Sequence, residues 1–462
     1  MFTKNTELVA DVVAYGSEGE GVIRTENGTV FVPFCLVGER VRVKILKAKG
    51  TIAYGKLLEV IVSSPDRTLP RCPVFAQCGG CALQHLSYQA QLAWKREQVR
   101  SALKKLGNVD AEVLPAVPCD FPFGYRNKLQ LPVGVREGKT VVGFYAERSH
   151  RIVPLEDCPI TPWAKEVISL VQRYVSSCGV DGYDEGTGKG ILRHVVVREI
   201  AGKFIVTMVT ATKKLPKADV LISFLKETFS EFTLWHNVNA ERSNVIFGKE
   251  FFLLYGNGTF SDTESGIVYG AGANTFVQVN RNIRQKLYGA TLAKVKAEAV
   301  VVDCYAGGGL LTAMLAKKCR RAYGIEIIPE AVACADALKR ENGLSNLENI
   351  CGKVEDVLPA LMQSLKGEDV VLTVDPPRKG LERSVVEAIV ASGVKEIVMI
   401  SCNPATLARD LGLLTGALQD KNGQLVKGDG DGAYEIRSIE PYDMFPQTKH
   451  VETLICLKRK QP

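Results

Sequence analysis

The amino-terminal segment alternates short apolar and polar stretches between glycines. Over residues 7–62 this alternation has the period of two that half-buried strands show. Several short strands at this spacing predict a small five-stranded β-barrel. Arg40, Arg42 and Lys44 fall on one face of its third apolar stretch, because strand side chains alternate. A basic face on a small barrel is a common binding site for an RNA backbone, and a solvated strand face explains the same residues equally well.

The pattern changes after a Ser-Pro linker at residues 63–67. From about 70 to 270 the elements are mixed, with a long predicted helix at 88–106 and strands near 192–198 and 203–210. From about 278 onward, strand patterns alternate with helix patterns at 310–318 and 330–342, which predicts a parallel sheet covered by helices. The last 30 residues predict two further strands, antiparallel at the sheet edge.

These patterns predict an α/β protein of three domains. A small OB-like β-barrel occupies residues 1–64, a central α+β domain occupies 65–270, and a Rossmann-like domain occupies 271–462.

Composition places the chain among ordinary globular proteins. Its 462 residues are 46% apolar and 24% charged, which excludes a mostly disordered or fibrous chain. No apolar stretch approaches the roughly 18 residues of a membrane helix, and the amino terminus lacks the apolar core of a signal peptide. We therefore expect a cytoplasmic protein that does not enter a membrane. The net charge of +7 permits a nucleic-acid partner without requiring one.

Thirteen cysteines are many for a cytosolic protein, where disulfides are disfavoured. Cys72, Cys78 and Cys81 lie within ten residues, among glycines and prolines. With a distant fourth thiol they form a four-thiolate site that suits zinc or an iron–sulfur cluster, whereas reduced, unligated thiols are the alternative. The candidates for the fourth ligand are Cys158, which precedes a proline as in bacterial ferredoxins, Cys119 and Cys178.

A glycine-rich turn at Gly307–Gly309 follows the apolar strand pattern that ends near Asp303. Glycines at such a turn let backbone amides approach a ligand at the helix N-terminus. Glu326 ends the next strand pattern about 20 residues on, where an acid binds ribose hydroxyls, so the segment fits an adenosyl cofactor. Asp303 is more typical of a residue that caps and orients the turn.

Two loops further along carry candidate chemistry. Asp375, followed by two prolines, ends an apolar strand pattern, at the place where open parallel sheets bind substrate. Cys402 follows another strand pattern and precedes Pro404, which is suited to start a helix. A helix N-terminus lowers the pKa of a thiol, so Cys402 is a candidate nucleophile rather than an inert buried cysteine.

Glu452 lies between apolar residues in the last predicted strand. A carboxylate there is a candidate general base with a raised pKa. From spacing alone, an exposed strand acid is the favoured interpretation.

Taken together, these residues resemble the RNA 5-methyluridine methyltransferases of the RumA/TrmA type. The resemblance covers nearly the whole chain: an amino-terminal barrel like the TRAM domain of that family, the cysteine cluster, and the motifs DPPRKG, SCNPATLARDL and DMFPQTKHVE. SCNPATLARDL together with DPPRKG is highly specific for the family.

The resemblance assigns roles to individual residues. It implies a [4Fe-4S] cluster in the central domain, held by Cys72, Cys78, Cys81 and Cys158. It implies that S-adenosyl-L-methionine is bound by Gln278, Tyr305, Glu326 and Asp375. It makes Cys402 the nucleophile and Glu452 the base. Leu310 stands where relatives often carry a polar residue, so we assign it no cofactor role.

The implied reaction is methylation of carbon 5 of a uridine through a Cys402 adduct at carbon 6, on a base extruded from its stack. Family members that act on transfer RNA typically lack the barrel and the cluster, so the resemblance favours ribosomal RNA, most directly 23S RNA. Transfer RNA is the alternative substrate. A cytosine-5 methyltransferase is disfavoured because the loop reads DPPR without a second cysteine. A non-catalytic cluster protein that binds RNA has no need of both Cys402 and Glu452. We expect a monomer, and a structural or RNA-binding part for the cluster.

Overall fold

The computed structural model describes residues 2–421 and 423–461. Its first five strands are β1 (Glu7–Tyr15), β2 (Gly21–Thr25), β3 (Gly28–Val32), β4 (Arg40–Lys49) and β5 (Ile52–Val62). They close into a barrel in the order β1-β2-β3-β5-β4, which confirms the predicted barrel. Alternate side chains of β4, Val41, Val43 and Ile45, point inward and are fully buried.

The outer face of β4 carries both signs of charge. Arg40 contacts Asp11 at 3.3 Å, and Arg42 contacts Glu59 at 2.8 Å, with all four side chains exposed. Such pairs add little stability, but each acid reduces the positive charge that an RNA backbone would meet. RNA binding by this face stays a prediction.

The central part is built on a seven-stranded sheet. Its helices are α1 (Tyr88–Leu106), α2 (Ala164–Cys178) and α3 (Ala218–Thr228), and its strands are β6 (Lys128–Arg136), β7 (Lys139–Tyr145), β8 (Ile152–Pro154), β9 (Leu192–Ile200), β10 (Lys203–Thr210), β11 (Phe232–Val238) and β12 (Glu250–Tyr255). The strand order is β12-β11-β10-β9-β6-β7-β8. The predicted helix at 88–106 and strands near 192–198 and 203–210 are confirmed. A separate hairpin follows, of β13 (Phe260–Glu264) and β14 (Ile267–Ala271).

The carboxy-terminal part alternates helices and strands, as predicted. Its helices are α4 (Arg281–Ala293), α5 (Leu310–Lys318), α6 (Pro329–Glu341), α7 (Val354–Ser364), α8 (Arg383–Ser392) and α9 (Pro404–Thr415). Its strands are β15 (Val300–Cys304), β16 (Arg321–Glu326), β17 (Leu347–Cys351), β18 (Val370–Val374), β19 (Glu396–Ser401), β20 (Leu418–Lys421), β21 (Gln424–Lys427), β22 (Tyr434–Tyr442) and β23 (Glu452–Arg459).

Seven of these strands form one sheet in the order β17-β16-β15-β18-β19-β23-β22. The first five are parallel, and β23 and β22 run antiparallel at the edge. This is a Rossmann-like sheet, as predicted. The chain leaves β15 towards β16 on one side and later returns to β18 on the other. The carboxyl ends of β15 and β18 therefore flank the switch point where such sheets bind ligands.

The long helix α1 packs into the core of the carboxy-terminal part. Its buried Val99 and Leu103 join the same apolar cluster as Val302, Leu372 and Ile397 of the sheet. The sequence places α1 in the central segment, so this helix connects the two parts. Within residues 2–421 and 423–461, no helix is long and apolar enough to cross a membrane.

Candidate active site

A cavity of about 700 Å³ opens at the carboxyl ends of β15 and β18. Its size is that of a pocket for a small ligand, and its position is the switch point of the sheet. Five of the six residues predicted to act in catalysis or to bind the cofactor line it: Gln278, Tyr305, Asp375, Cys402 and Glu452. The cavity therefore joins residues that are up to 174 positions apart in the sequence.

The glycine turn forms one wall of the cavity. Gly309 has a φ of +82°, and a Cβ built there would lie 2.7 Å from Cβ of Ala335 in α6. Only glycine fits this close approach without strain. A Cβ at Gly307 or Gly308 would meet nothing within 4 Å, so the rest of the turn faces open space. Tyr305, which precedes the glycines, has a left-handed φ of +65°.

The side chain of Glu326 fixes the glycine turn by hydrogen bonds to backbone amides. Its Oε2 accepts a hydrogen bond from the Gly307 amide at 2.9 Å, and its Oε1 accepts one from the Ile328 amide at 2.9 Å. Glu326 is not among the described residues that line the cavity. The sequence predicts a ribose-binding role, and the structure adds that this carboxylate fixes the turn beside the ligand space.

Asp303 ties the turn to the neighbouring elements. It accepts hydrogen bonds from the hydroxyls of Thr312 and Thr373, both at 2.6 Å. Burial raises the pKa of Asp303 to about 6, although the two hydroxyls oppose the shift. The bonds agree with the predicted capping and orienting role, and Asp303 also contributes to the cavity wall.

Asp375 is the second acid in this region. Burial raises its pKa to about 7, and the nearby Asp303 charge adds to the shift. The side chain therefore changes charge near neutral pH, which is a property of groups that transfer protons or respond to ligand charge.

Cys402 lies between β19 and α9, where Asn403 caps the helix by accepting a hydrogen bond from the Ala405 amide at 3.0 Å. Burial, together with the charges of Glu452 and Asp375, raises the pKa of the Cys402 thiol to about 11. The predicted lowering of this pKa is wrong for the protein alone, because burial and two carboxylates outweigh the helix N-terminus.

Glu452 begins β23 and is only 4% exposed. β23 pairs antiparallel with β19, and the last pair between them is Ser401 with Thr453. The residues that follow this pair, Cys402 after β19 and Glu452 before Thr453, are therefore neighbours. Burial raises the pKa of Glu452 well above its ordinary value. The interpretation as an exposed strand acid is therefore wrong, since the edge pairing turns this carboxyl into the cavity.

Several cavity residues were not predicted from the sequence, and three of them lie close to predicted residues or motifs. Phe276 is 78% exposed at the cavity edge, and Phe445 and Arg378 also contribute to the wall. Arg378 lowers the pKa of both Cys402 and Glu452 by its charge. The three lie in the segments FVQVN, DPPRKG and DMFPQTKHVE, within a few positions of a predicted residue. Their closeness to those residues is the signal in the sequence that could have identified them.

The four thiols predicted to bind a metal come from two segments. Cys72, Cys78 and Cys81 lie between β5 and α1, and Cys158 follows β8; their charges act on one another's pKa. Burial raises the pKa of all four, and a backbone N–H two residues further on opposes this at Cys72, Cys78 and Cys158. In residues 2–421 and 423–461, no group of three or more Cys, His, Asp or Glu side chains is placed to hold a metal ion. The metal site stays a prediction.

The alternative fourth ligands have other surroundings. Cys119 is buried against Asn280, whose Nδ2 donates to its Sγ at 3.4 Å. Cys178 is the last residue of α2.

Comparison with protein families gives two matches. The family described as tRNA (Uracil-5-)-methyltransferase matches residues 202–460, and the TRAM domain matches residues 2–58. Two bacterial relatives are each 38% identical and cover 99% of this chain and 98% of their own length. Both are named as uncharacterized RNA methyltransferases, one from Clostridium acetobutylicum and one from Halalkalibacterium halodurans.

A solved structure is similar over the whole chain. It is the tRNA (uracil-54, C5)-methyltransferase of Pyrococcus abyssi in complex with S-adenosyl-L-homocysteine. The two chains superpose with a TM-score of 0.78 at 26% sequence identity, over 97% of this chain and 99% of the other.

Proposed function

Because this chain belongs to the tRNA (uracil-5-)-methyltransferase family, we propose that it transfers the methyl group of S-adenosylmethionine to carbon 5 of a uridine in RNA. Dependence on S-adenosylmethionine and action on RNA are common to the family and the relatives. The uridine chemistry rests on one observation above all: Cys402 and Glu452 line the same cavity as the glycine turn.

Four residues are proposed to hold the cofactor. We propose that Glu326, which accepts from two backbone amides, also accepts from ribose hydroxyls, as its position in the sequence predicts, and that the open turn offers its amides to the ligand. Gln278 and Tyr305 supply polar and aromatic surface in the cavity wall. Asp375, with its pKa near 7, provides a negative charge that a sulfonium stabilises. When bound, the cofactor supplies an electrophilic methyl group.

Cys402 carries the covalent step. Carbon 5 of uracil is a poor nucleophile, so Cys402 Sγ adds to carbon 6 and the electron pair forms an enolate. Carbon 5 then takes the methyl group. The thiol must first lose its proton, because the thiolate is the form that attacks carbon 6.

Glu452 completes the reaction. It removes the proton from carbon 5, the carbon–sulfur bond breaks, and Cys402 leaves as the thiolate. A buried carboxylate with a raised pKa is a stronger base once ionised than an exposed one. The charge of Arg378 opposes this rise in the Glu452 pKa and so favours the ionised carboxylate.

The RNA must present its uridine to an enclosed cavity, which requires extrusion of the base from its stack. We assign RNA contacts to the amino-terminal barrel, in line with its match to the TRAM domain. A substrate of this kind, together with many reduced cysteines, is consistent with a cytoplasmic protein. We keep a monomer as the expected state.

Ribosomal RNA, most directly 23S RNA, remains our first candidate substrate by analogy. Transfer RNA is the second, and one observation favours it. The Pyrococcus abyssi enzyme is named for a transfer RNA uridine and aligns with 97% of this chain, so the alignment includes the barrel region. A barrel therefore does not by itself distinguish the two substrates.

We also propose that Cys72, Cys78, Cys81 and Cys158 hold a [4Fe-4S] cluster. The Gly80 amide donates to Cys78 Sγ at 3.4 Å, and amides in the same relation act on Cys72 and Cys158. Such N–H···S bonds are typical of the surroundings that tune bound thiolates. None of the four is among the described residues lining the cavity, which supports a structural or RNA-binding part. Iron and sulfide content should fall in Cys81→Ser and not in the control Cys334→Ser, whose thiol is exposed elsewhere.

The reaction is tested with methyl-labelled S-adenosylmethionine and two transcripts, ribosomal and transfer RNA. Label recovered as 5-methyluridine in either RNA supports the proposal and identifies the substrate class. RNA binding without label in either transcript would favour the non-catalytic protein instead.

A further inference from the structure

A second cavity, of about 490 Å³, lies in the central part, away from the glycine turn. Its walls come from the end of β6, the turn between β7 and β8, and the start of β9. Its volume falls within the range of pockets that hold small ligands, and nothing in the proposed reaction uses it.

Arg193 is the buried cation of this second cavity. The residue is 4% exposed, and its Nη1 donates to the carbonyls of Asn239 and Glu241, both at 2.7 Å. Its Nε has no hydrogen-bond acceptor among the described residues. A buried donor without a partner is costly, and this one belongs to a residue of the second cavity wall.

Aromatic rings line the same cavity. The Arg193 guanidinium lies 4.6 Å from the centre of the Tyr183 ring. Tyr145 and His150 form a ring pair at 5.4 Å between centroids. Rings of this kind stack on nucleic-acid bases without regard to sequence.

The two acidic residues of the second cavity, Glu185 and Asp184, already have hydrogen-bond partners within the protein. Glu185 accepts from the Tyr145 hydroxyl at 3.2 Å and contacts His150 Nδ1 at 2.6 Å. Asp184 accepts from the Gly186 amide at 2.8 Å. Arg136 and Arg151 are exposed at the rim, where Arg136 contacts the exposed Glu137 at 3.5 Å. Such an exposed pair is weak, so a phosphate can compete for this arginine.

A short run of residue contacts links the wall of the second cavity to the wall of the first. Tyr145 begins the turn that leads to Glu147, which contacts Lys449 at 3.6 Å. Lys449 precedes His450, and His450 lines the first cavity. The same turn reaches the barrel, since Arg148 contacts Glu18 at 3.6 Å. The turn between β7 and β8 therefore contacts both the barrel and the segment that precedes His450.

From these observations we propose that the second cavity holds one more nucleotide of the substrate RNA, a few positions from the methylated uridine. Its base stacks on the Tyr145 and His150 rings, beside the Arg193 guanidinium, and its phosphate is bound by Arg136 and Arg151. The inference rests on RNA being the substrate and extends it, because it makes substrate choice depend on a second, unmethylated nucleotide.

The test compares two double variants of equal charge change. Arg136→Ala/Arg151→Ala removes the rim cations of the second cavity. The control Arg100→Ala/Arg173→Ala removes two exposed arginines that lie outside the second cavity. Each of them is paired with a glutamate. RNA affinity is measured by fluorescence anisotropy, which needs no methyl transfer, and KM and kcat are measured with a full transcript and with a minimal loop that carries only the target uridine.

We expect the rim variant to weaken binding of the full transcript and raise its KM by about tenfold, as loss of phosphate contacts does, with kcat unchanged. The minimal loop should bind the rim variant and the unaltered protein equally. Equal effects of the rim variant and the control, or the same loss with the minimal loop, would overturn the proposal. So would saturable binding of adenosine monophosphate that does not compete with RNA, since the occupant would then be a free nucleotide. If no methylation is detected but the rim variant still binds RNA more weakly than the control, the proposed reaction is refuted. The proposal for the second cavity then stands.

Discussion

Lys95 and Asp443 form an ion pair in which both side chains are completely buried. Lys95 lies on α1, and its Nζ also donates to the Phe445 carbonyl at 2.9 Å. Phe445 and His450 of the same loop line the first cavity, and the loop leads directly into Glu452. The pair therefore fixes the loop that leads into β23 and brings Glu452, the proposed base, close to Cys402.

Breaking this pair should destabilise the protein strongly. In Asp443→Asn the Lys95 ammonium stays buried without its counter-charge, and the expected loss is about 3–5 kcal/mol of unfolding free energy. Denaturant unfolding measures it. The control Arg100→Ala removes an exposed pair and should cost less than about 1 kcal/mol. Similar losses in both variants would show that the buried pair does not anchor the loop.

The Cys402 thiol should react slowly near neutral pH in the protein alone. Since burial and two carboxylates raise its pKa to about 11, the thiolate fraction at pH 7 is small and grows with every pH unit up to about 11. The measurement is the rate of Cys402 alkylation against pH, followed by peptide mass spectrometry. A rate that levels off below pH 9 contradicts the direction of the shift.

Asp375→Asn provides the matched variant for that profile. Removal of the carboxylate removes one of the charges that raise the Cys402 pKa, so the alkylation curve should move to lower pH. Asp336→Asn, on α6 and outside the cavity lining, is the control and should leave the curve in place. An unchanged curve in Asp375→Asn would mean that the two groups are not coupled.

The glycine turn offers a pair of adjacent substitutions with different expected effects. Gly309→Ala forces a Cβ to 2.7 Å from Ala335 at a φ of +82°, and should cost about 1–3 kcal/mol in denaturant unfolding. Gly308→Ala places its Cβ in open space and should leave stability nearly unchanged. If the turn holds the cofactor, Gly308→Ala should still weaken S-adenosylhomocysteine binding in calorimetry. Unchanged affinity there would separate the turn from the cofactor.

The sequence predicts elements well where the signal is local. The barrel strands and α1 follow from periodicity, and Ser87 caps α1 where the helical pattern begins. What periodicity does not contain is the pairing of β23 with β19. That pairing places Glu452 beside a residue 50 positions earlier and buries it. Burial then sets the pKa of Cys402, which the helix N-terminus alone predicts in the wrong direction.

The sequence also does not predict which side chains face the ligand. Spacing places Glu326 at a strand end but does not show that its two oxygens are bound by backbone amides. Phe276 and Arg378 gain their positions from loops whose shape depends on tertiary packing. Neither has a spacing that distinguishes it from an ordinary surface residue.

In the proposed reaction Cys402 forms the covalent bond to the base, and Glu452 removes the proton that allows this bond to break. The direct test incubates Glu452→Gln with substrate RNA and S-adenosylmethionine and measures the intact mass after denaturation. Cys402→Ala/Glu452→Gln is the control. We predict a covalent protein–RNA species that carries one added methyl group in the single variant, because carbon 5 is methylated but its proton stays. The double variant should show none. Rapid turnover to 5-methyluridine by Glu452→Gln, or an adduct that persists without Cys402, would contradict the mechanism.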